Sequence, residues 1–259
     1  MIEADRPSIK SEARVLVLLD QPLIADLVRL TLNHGLFATR DAQDSVDAMR
    51  ILAEWHPHLA VIDMELGGRQ LFERIGGSGE IGTRIPVVGL TRRGDLKSKL
   101  DAFERGVDDI MTMPFSPEEL LARVIAVTRR TYGEQVPLQP VLKIGEIQLD
   151  ILNRRVLVGS EELHLSGLEQ SLLYLLAANA GQMVTRDQIL DALWGVDFVA
   201  GSNVVDRHVR NLRAKLQNDW RKPRFIATIP GRGYRFIPST GEASSSSDRA
   251  TPVGDAALP

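Results

Sequence analysis

The chain has 259 residues, 44% apolar and 25% charged, ordinary proportions for a globular protein and enough for two separate cores. It contains no cysteine, which excludes disulfides, thiolate chemistry and cysteine-based zinc sites, and its five histidines lack metal-ligand spacing. The net charge of −3 is unevenly spread: residues 1–140 hold 17 Lys+Arg and 21 Asp+Glu, whereas residues 202–238 hold nine basic and two acidic residues, a balance of +7 that points to a polyanion.

No stretch approaches the roughly 18 apolar residues of a membrane span, and the N-terminus "MIEADRPSIKSEAR" has no apolar region of signal-peptide type. The expectation is a cytoplasmic protein with no membrane partner. Residues 1–13 read as a flexible N-terminus. From Arg14 to Arg130, strand-like runs ("RVLVLL", "LAVID", "IPVVGL", "VDDIMTM") alternate with helical patterns such as "LIADLVRLTLNHG". Such alternation predicts an α/β domain with a parallel sheet covered by helices on both faces and a ligand site beyond the carboxyl ends of the strands. Asp20, Asp63 and Thr91 each stand at the end of such a run. An Asp there often does no more than cap a helix, but oxygen-bearing side chains at several strand ends together make a candidate site.

Residues 131–140, "TYGEQVPLQP", read as a linker after the helical "PEELLARVIAVTRR". Beyond it, strand-like "LKIGEIQLD" and "RRVLVG" precede helical patterns and a final β pair, "RFIAT" and "YRFIP", joined by a turn with Gly231 and Gly233. In "SNVVDRHVRNLRAKLQ", Val205, Val209, Leu212 and Leu216 form one apolar stripe, and the opposite side collects Asn203, Arg207, Arg210, Asn211 and Ala214. Arg and Asn read guanine and adenine edges bidentately, and alanine fits against a thymine methyl. A merely solvated face mixes charges in i,i+4 pairs, whereas Asp206 is the lone acid in this helix. The preceding "TRDQILDALWG" supplies the first helix of a helix-turn-helix. The hairpin after it makes a wing, whose tip "PGRGY" offers Arg232 to a minor groove or a phosphate. The tail, residues 239–259, is poor in bulky apolar residues and reads as disordered.

The pattern "LSGLEQSLLYLLAANAGQMVTRDQILDALWG…VVDRHVRNLRAKL…FIATIPGRGYRF", within residues 141–238, resembles the winged-helix effector domain of OmpR/PhoB-type response regulators. Within residues 14–130, "IPVVGLT" and "GVDDIMTMPFSPEELLARV" resemble the receiver domain of the same family. The resemblance implies a flavodoxin-like, doubly wound receiver followed by an α+β winged helix-turn-helix domain. It adds Arg213, Thr228 and Tyr234 to the DNA-binding set, and it implies promoter DNA, RNA polymerase and a second copy of the chain as partners. Dimers of the family pair through the fourth helix, fifth strand and fifth helix with salt bridges between subunits. Lys99, Asp109, Glu119 and Arg123 match positions on that face, and Ile125 replaces a basic residue there.

Receivers of the family accept a phosphoryl group on an Asp beside Mg2+. Carried over, Asp63 is the acceptor, Thr91 the switch hydroxyl, and Asp20, Asp63 and the backbone carbonyl of Glu65 the metal ligands. The chain departs from the pattern at Leu19, Arg92, Ile110 and Met113. Leu19 replaces an acid, so Mg2+ binding is expected to be weak or absent. Met113 replaces the lysine, and a thioether forfeits a charge-assisted contact worth about 1.5–3 kcal/mol. Arg92 follows the switch Thr where a small residue is usual, and either substitutes for the lysine or blocks the site. Ile110 replaces the aromatic that reports the switch. The resulting expectation is a sequence-specific transcriptional regulator, not an enzyme, with little or no dependence on receiver phosphorylation. The alternative is a conventional phosphorelay regulator, phosphorylated on Asp63 by a histidine kinase.

Overall fold

A computed structural model describes residues 12–33, 37–76, 84–92, 96–133, 141–195, 198 and 203–238. The expected flexible N-terminus up to residue 11, the linker from residue 134 and the tail from residue 239 lie outside the described residues. Strands β1 (Ala13–Leu18), β2 (Phe37–Ala42), β3 (Leu59–Asp63), β4 (Val87–Thr91) and β5 (Asp109–Thr112) form one parallel sheet in the order β2-β1-β3-β4-β5. β3 and β4 are buried along their whole length, which is why they read as unbroken apolar runs. β2 is absent from the strands expected from sequence. Its "FATRDA" places exposed Arg40 and Asp41 in an edge strand, where charge deters pairing with another chain.

Helices α1 (Pro22–Leu32), α2 (Ser45–Trp55), α3 (Arg69–Ile75), α4 (Leu96–Glu104) and α5 (Pro117–Tyr132) connect the strands. The start of α5 is strongly specified: Ser116 Oγ accepts from the Glu119 N–H at 3.2 Å, Pro117 opens the helix, and Glu118 and Glu119 face the positive end of its dipole. Thr131 and Tyr132, read as linker residues, instead complete α5, which ends at Gly133 with φ 73°. The Tyr132 hydroxyl donates to the His58 carbonyl at 2.7 Å, tying that last turn to the chain entering β3.

The second domain begins with an antiparallel sheet of β6 (Val141–Ile144), β7 (Ile147–Asp150), β8 (Arg155–Val158) and β9 (Glu161–Leu163). There follow α6 (Gly167–Ala178), β10 (Met183–Thr185), α7 (Arg186–Trp194), α8 (Val204–Lys215), β11 (Ile226–Ile229) and β12 (Gly233–Phe236). Capping boxes start both α6, on Ser166 and Glu169, and α7, on Thr185 and Gln188. β12 pairs with β11 and β10, and a Cβ at Gly233 would lie 2.1 Å from the Val184 carbonyl, so this pairing requires glycine. The stripe Val205, Val209, Leu212 and Leu216 is buried, which fixes the face that α8 turns outward. The two domains touch: α1 packs on α6 and α7, and the buried side chains of both form one continuous apolar cluster.

Candidate functional site

The order of the first sheet reverses between β1 and β3, where a parallel sheet opens a crevice at its carboxyl ends. Asp20, Asp63 and Thr91 converge there, as the topology requires. Asp63 is only 1% exposed, and its Oδ1 accepts from the Glu65 N–H at 2.9 Å. Its Oδ2 has no hydrogen-bond partner among the described residues. Thr91 is buried beside it at the end of β4, and its carbonyl accepts from the Met113 N–H at 2.7 Å.

Arg92 is held by the acids around it. Arg92 Nη2 contacts both oxygens of Asp20 at 2.8 Å, and Nη1 reaches Glu65 Oε2 at 3.3 Å. The Asp63 Oδ2 lies 3.8 Å from the same guanidinium. The cation therefore sits among the carboxylates, at ion-pair distance from Asp63 as well as from Asp20 and Glu65. Glu65, expected to contribute its backbone carbonyl, contributes a side-chain ion pair here. Leu19 is half-buried and packs on the apolar cluster, and Ile110 is buried in the core on the opposite side of the sheet.

These residues do not fit Mg2+. A divalent ion needs several hard oxygens free to coordinate, whereas both oxygens of Asp20 are held by a guanidinium and Leu19 supplies none. Among the described residues, no group of three or more His, Cys, Asp or Glu side chains is placed to hold a metal ion.

Burial pushes the Asp63 carboxyl up from its ordinary 3.8, and the Glu65 hydrogen bond and the Arg92 charge only partly oppose it. A folded carboxyl with a raised pKa contributes most below the unfolded value, and that contribution is lost as pH rises through the folded one. Ionised Asp63 is thus a cost to the fold near neutrality. Asp63→Asn is expected to raise Tm at about pH 7, with the gain shrinking on acidification towards about pH 4. Thermal denaturation across that range checks it; an unchanged or lower Tm near neutrality would mean that pairing with Arg92 outweighs desolvation.

The second candidate site is the outward face of α8. Asn203, Arg207, Arg210, Asn211 and Ala214 are all exposed, as is Arg232 at the wing tip. Asp206, the acid that sequence leaves on this helix, is drawn inward. It accepts from Arg186 Nε at 2.8 Å and from the Tyr234 hydroxyl, so its carboxylate does not oppose the arginines. Arg213, Thr228 and Tyr234, grouped with the DNA contacts by the resemblance, are engaged within the domain. Arg213 turns back to the wing, donating to the Ile226 carbonyl at 2.9 Å and to Thr228 Oγ1 at 2.8 Å. Tyr234 is 3% exposed, with the guanidiniums of Arg186 and Arg213 at 5.0 and 5.4 Å from its ring centroid. These contacts fasten the wing to α8, because the side of α8 that carries Arg213 faces the hairpin.

On the receiver, Arg123 forms ion pairs with Asp109 and Glu119 of its own chain, both at 2.8 Å. Leu100 and Phe103 on α4 are 52% and 47% exposed. Sequence reasoning named the charges of this face and passed over its apolar pair, although the i,i+3 spacing of Leu100 and Phe103 in "KLDAFE" is a legible signal.

Residues 15–125 match the response regulator receiver domain family, and residues 160–236 match the family described as transcriptional regulatory protein, C terminal. The chain is 32% identical over 224 residues to the response regulator MprA of Mycobacterium sp. (strain KMS), covering 85% of this chain and 96% of that protein. The chain is an OmpR/PhoB-type response regulator. It is also 32% identical over 225 residues to the DNA-binding response regulator MtrA of Mycolicibacterium smegmatis, covering 87% of this chain and 97% of that one. Among solved structures it is similar to response regulator DrrB of Thermotoga maritima, an OmpR/PhoB homolog, at 30% identity and a TM-score of 0.40, covering 87% of this chain and 99% of the other. Among the described residues, no helix of this response regulator is long and apolar enough to cross a membrane.

Proposed function

We propose that this response regulator binds promoter DNA as a homodimer with little or no dependence on phosphorylation of its receiver. The observation that carries the reading is Arg92. Its guanidinium lies 2.8 Å from Asp20 and 3.8 Å from Asp63, supplying from within the chain the positive charge that a receiver otherwise takes from a metal ion. A buried Asp63 behind that cation is a poor target for a phosphodonor. The exposed Arg207, Arg210 and Arg232 supply the DNA face, and α4, β5 and α5 the dimer face, with Leu100 and Phe103 as its apolar centre. Exposed ion pairs on such a face contribute only about 0–1 kcal/mol each and set register more than affinity. RNA polymerase is the downstream partner in this reading, and no catalytic turnover is assigned to the chain.

The conventional reading, phosphorylation of Asp63 by a histidine kinase, keeps one observation in its favour: Asp63 and Thr91 sit together at the ends of β3 and β4. Incubation with Mg2+ and a small phosphodonor, followed by intact-mass measurement and a DNA-binding assay, separates the two. The proposed function predicts unphosphorylated protein that binds its operator, and equal binding by Asp63→Asn. A stable one-phosphoryl mass increase, lost in Asp63→Asn and accompanied by tighter binding, would establish the conventional reading.

A further inference from the structure

Between the two domains, where α1 packs on α6 and α7, a cleft of about 160 Å3 opens beside the acceptor pocket. Its receiver wall is apolar: Ile24 and Leu27 come from α1, and Met113 and Phe115 from the β5–α5 turn. Across it stands Trp194, at the end of α7. The chain on either side is close-packed. A Cβ at Gly195 would lie 3.5 Å from Pro114 Cδ, and Glu118 of α5 pairs with Arg154 of the β7–β8 turn at 3.6 Å. The cleft is a shaped gap inside a contact whose buried side chains run continuously from one core to the other. Lining atoms that face a gap forgo dispersion contacts, so a body of matching size is favoured there.

Size and charge narrow that body. An apolar cavity of about 150 Å3 accommodates a benzene ring, so one ring on a short arm matches the cleft. Its polar lining is Gln21, Arg92 and Asp191. Arg92 is already paired with Asp20, Glu65 and Asp63. Asp191 is exposed and forms no ion pair among the described residues. Four carboxylates thus stand in or beside the cleft against one guanidinium, and with Asp63 protonated three remain, an excess that attracts a cation and repels an anion. An ammonium group at the Asp191 rim keeps its other donors in water while an apolar body enters between the walls. Phe115 and Trp194 give that body aromatic surface to pack on.

We propose that the interdomain cleft binds a small organic cation, an ammonium on a short arm that carries one aromatic ring, with the ring between Met113, Phe115 and Trp194 and the ammonium at Asp191. Met113 suits the place, since an unbranched thioether adapts its shape to a ring and packs well on it. The walls belong to both domains, so the ligand binds their docked arrangement and stabilises it by mass action. The Trp194 ring stands 5.5 Å from that of His208, which places one side chain between the ligand and the helix that carries Arg207 and Arg210. Neither the site nor its test involves DNA or phosphorylation.

The probe is phenethylamine, titrated into the full-length chain by calorimetry, with hydrocinnamate and phenethyl alcohol as ligands of similar shape that carry a carboxylate and a hydroxyl instead. The amine is expected to bind once per chain with a Kd on the order of 1 mM or below, and both analogues about tenfold or more weakly. Asp191→Asn, a substitution at an exposed position, should weaken the amine about tenfold and leave the alcohol unchanged. Met113→Trp, which fills the cleft, should remove binding of all three. Absence of saturable amine binding would overturn the site, and binding of hydrocinnamate as tight as that of the amine would overturn the charge assigned to its ligand. Amine affinity unchanged by Asp191→Asn would place the amine elsewhere on the chain and overturn the site even where Met113→Trp fails to fold.

Discussion

Arg207→Ala and Arg210→Ala are expected to weaken operator binding by about 1–3 kcal/mol each, roughly five- to 150-fold, with the loss concentrated at particular base pairs. Both side chains are exposed on the side of α8 opposite its buried stripe, and Asp206, the acid nearest to them in sequence, is bound to Arg186 and Tyr234. Neither is therefore neutralised by the acid of its own helix. Arg213→Ala is the informative contrast. Its guanidinium holds the Ile226 carbonyl and Thr228, so its loss should lower Tm and disorder the wing without erasing discrimination at any one base pair. Binding measured across single-base operator variants checks both statements. Uniform loss from Arg207→Ala and Arg210→Ala over all variants would reduce them to phosphate contacts, and unchanged affinity would remove α8 as the reading helix.

Arg92→Ala is expected to convert a metal-indifferent receiver into one that responds to Mg2+. Removing the guanidinium leaves Asp20, Asp63 and Glu65 facing one another without that cation, and it forfeits charge-assisted hydrogen bonds worth about 1.5–3 kcal/mol. Mg2+ then has oxygens to bind, and at ten times its Kd it returns about 1.4 kcal/mol of stability. The measurement is Tm against Mg2+ concentration for wild type and Arg92→Ala at fixed ionic strength. Wild type should not respond. Adding Met113→Lys and Leu19→Asp restores two of the three remaining departures and should deepen the response of the variant. An equal Tm gain in wild type would show that Arg92 yields to the metal and that the acceptor pocket is conventional.

Much of this architecture is written locally. Parallel strands buried on both faces must be apolar throughout, so β1, β3, β4 and β5 stand out as short runs, and the caps Ser116, Ser166 and Thr185 mark where helices start. The period of α8 by itself places Arg207 and Arg210 opposite its buried stripe. Edge and three-residue strands escape such reading: β2 carries charge because one side of it is unpaired, and β9 and β10 are too short to show an alternation. Met113 in place of a lysine and Leu19 in place of an acid are likewise plain in the sequence, since motif position alone defines them.

What tertiary structure decided are the questions whose answers lie far along the chain. The partners of Arg92 are one such question, since the guanidinium meets Asp20, 72 residues away. Arg213 and Tyr234 share a motif with the exposed arginines of α8 and the wing, yet the hairpin packed over α8 gives both partners within the domain, since a buried hydroxyl and a half-buried guanidinium must find them there. The wide apolar arc of α1 can be read in "PLIADLVRLTL" without any indication of what covers it. Only when α6 and α7 are brought against that helix do Met113 and Trp194 line one cleft, since periodicity identifies a face to be buried and the partner that buries it is set by the packing of the whole chain.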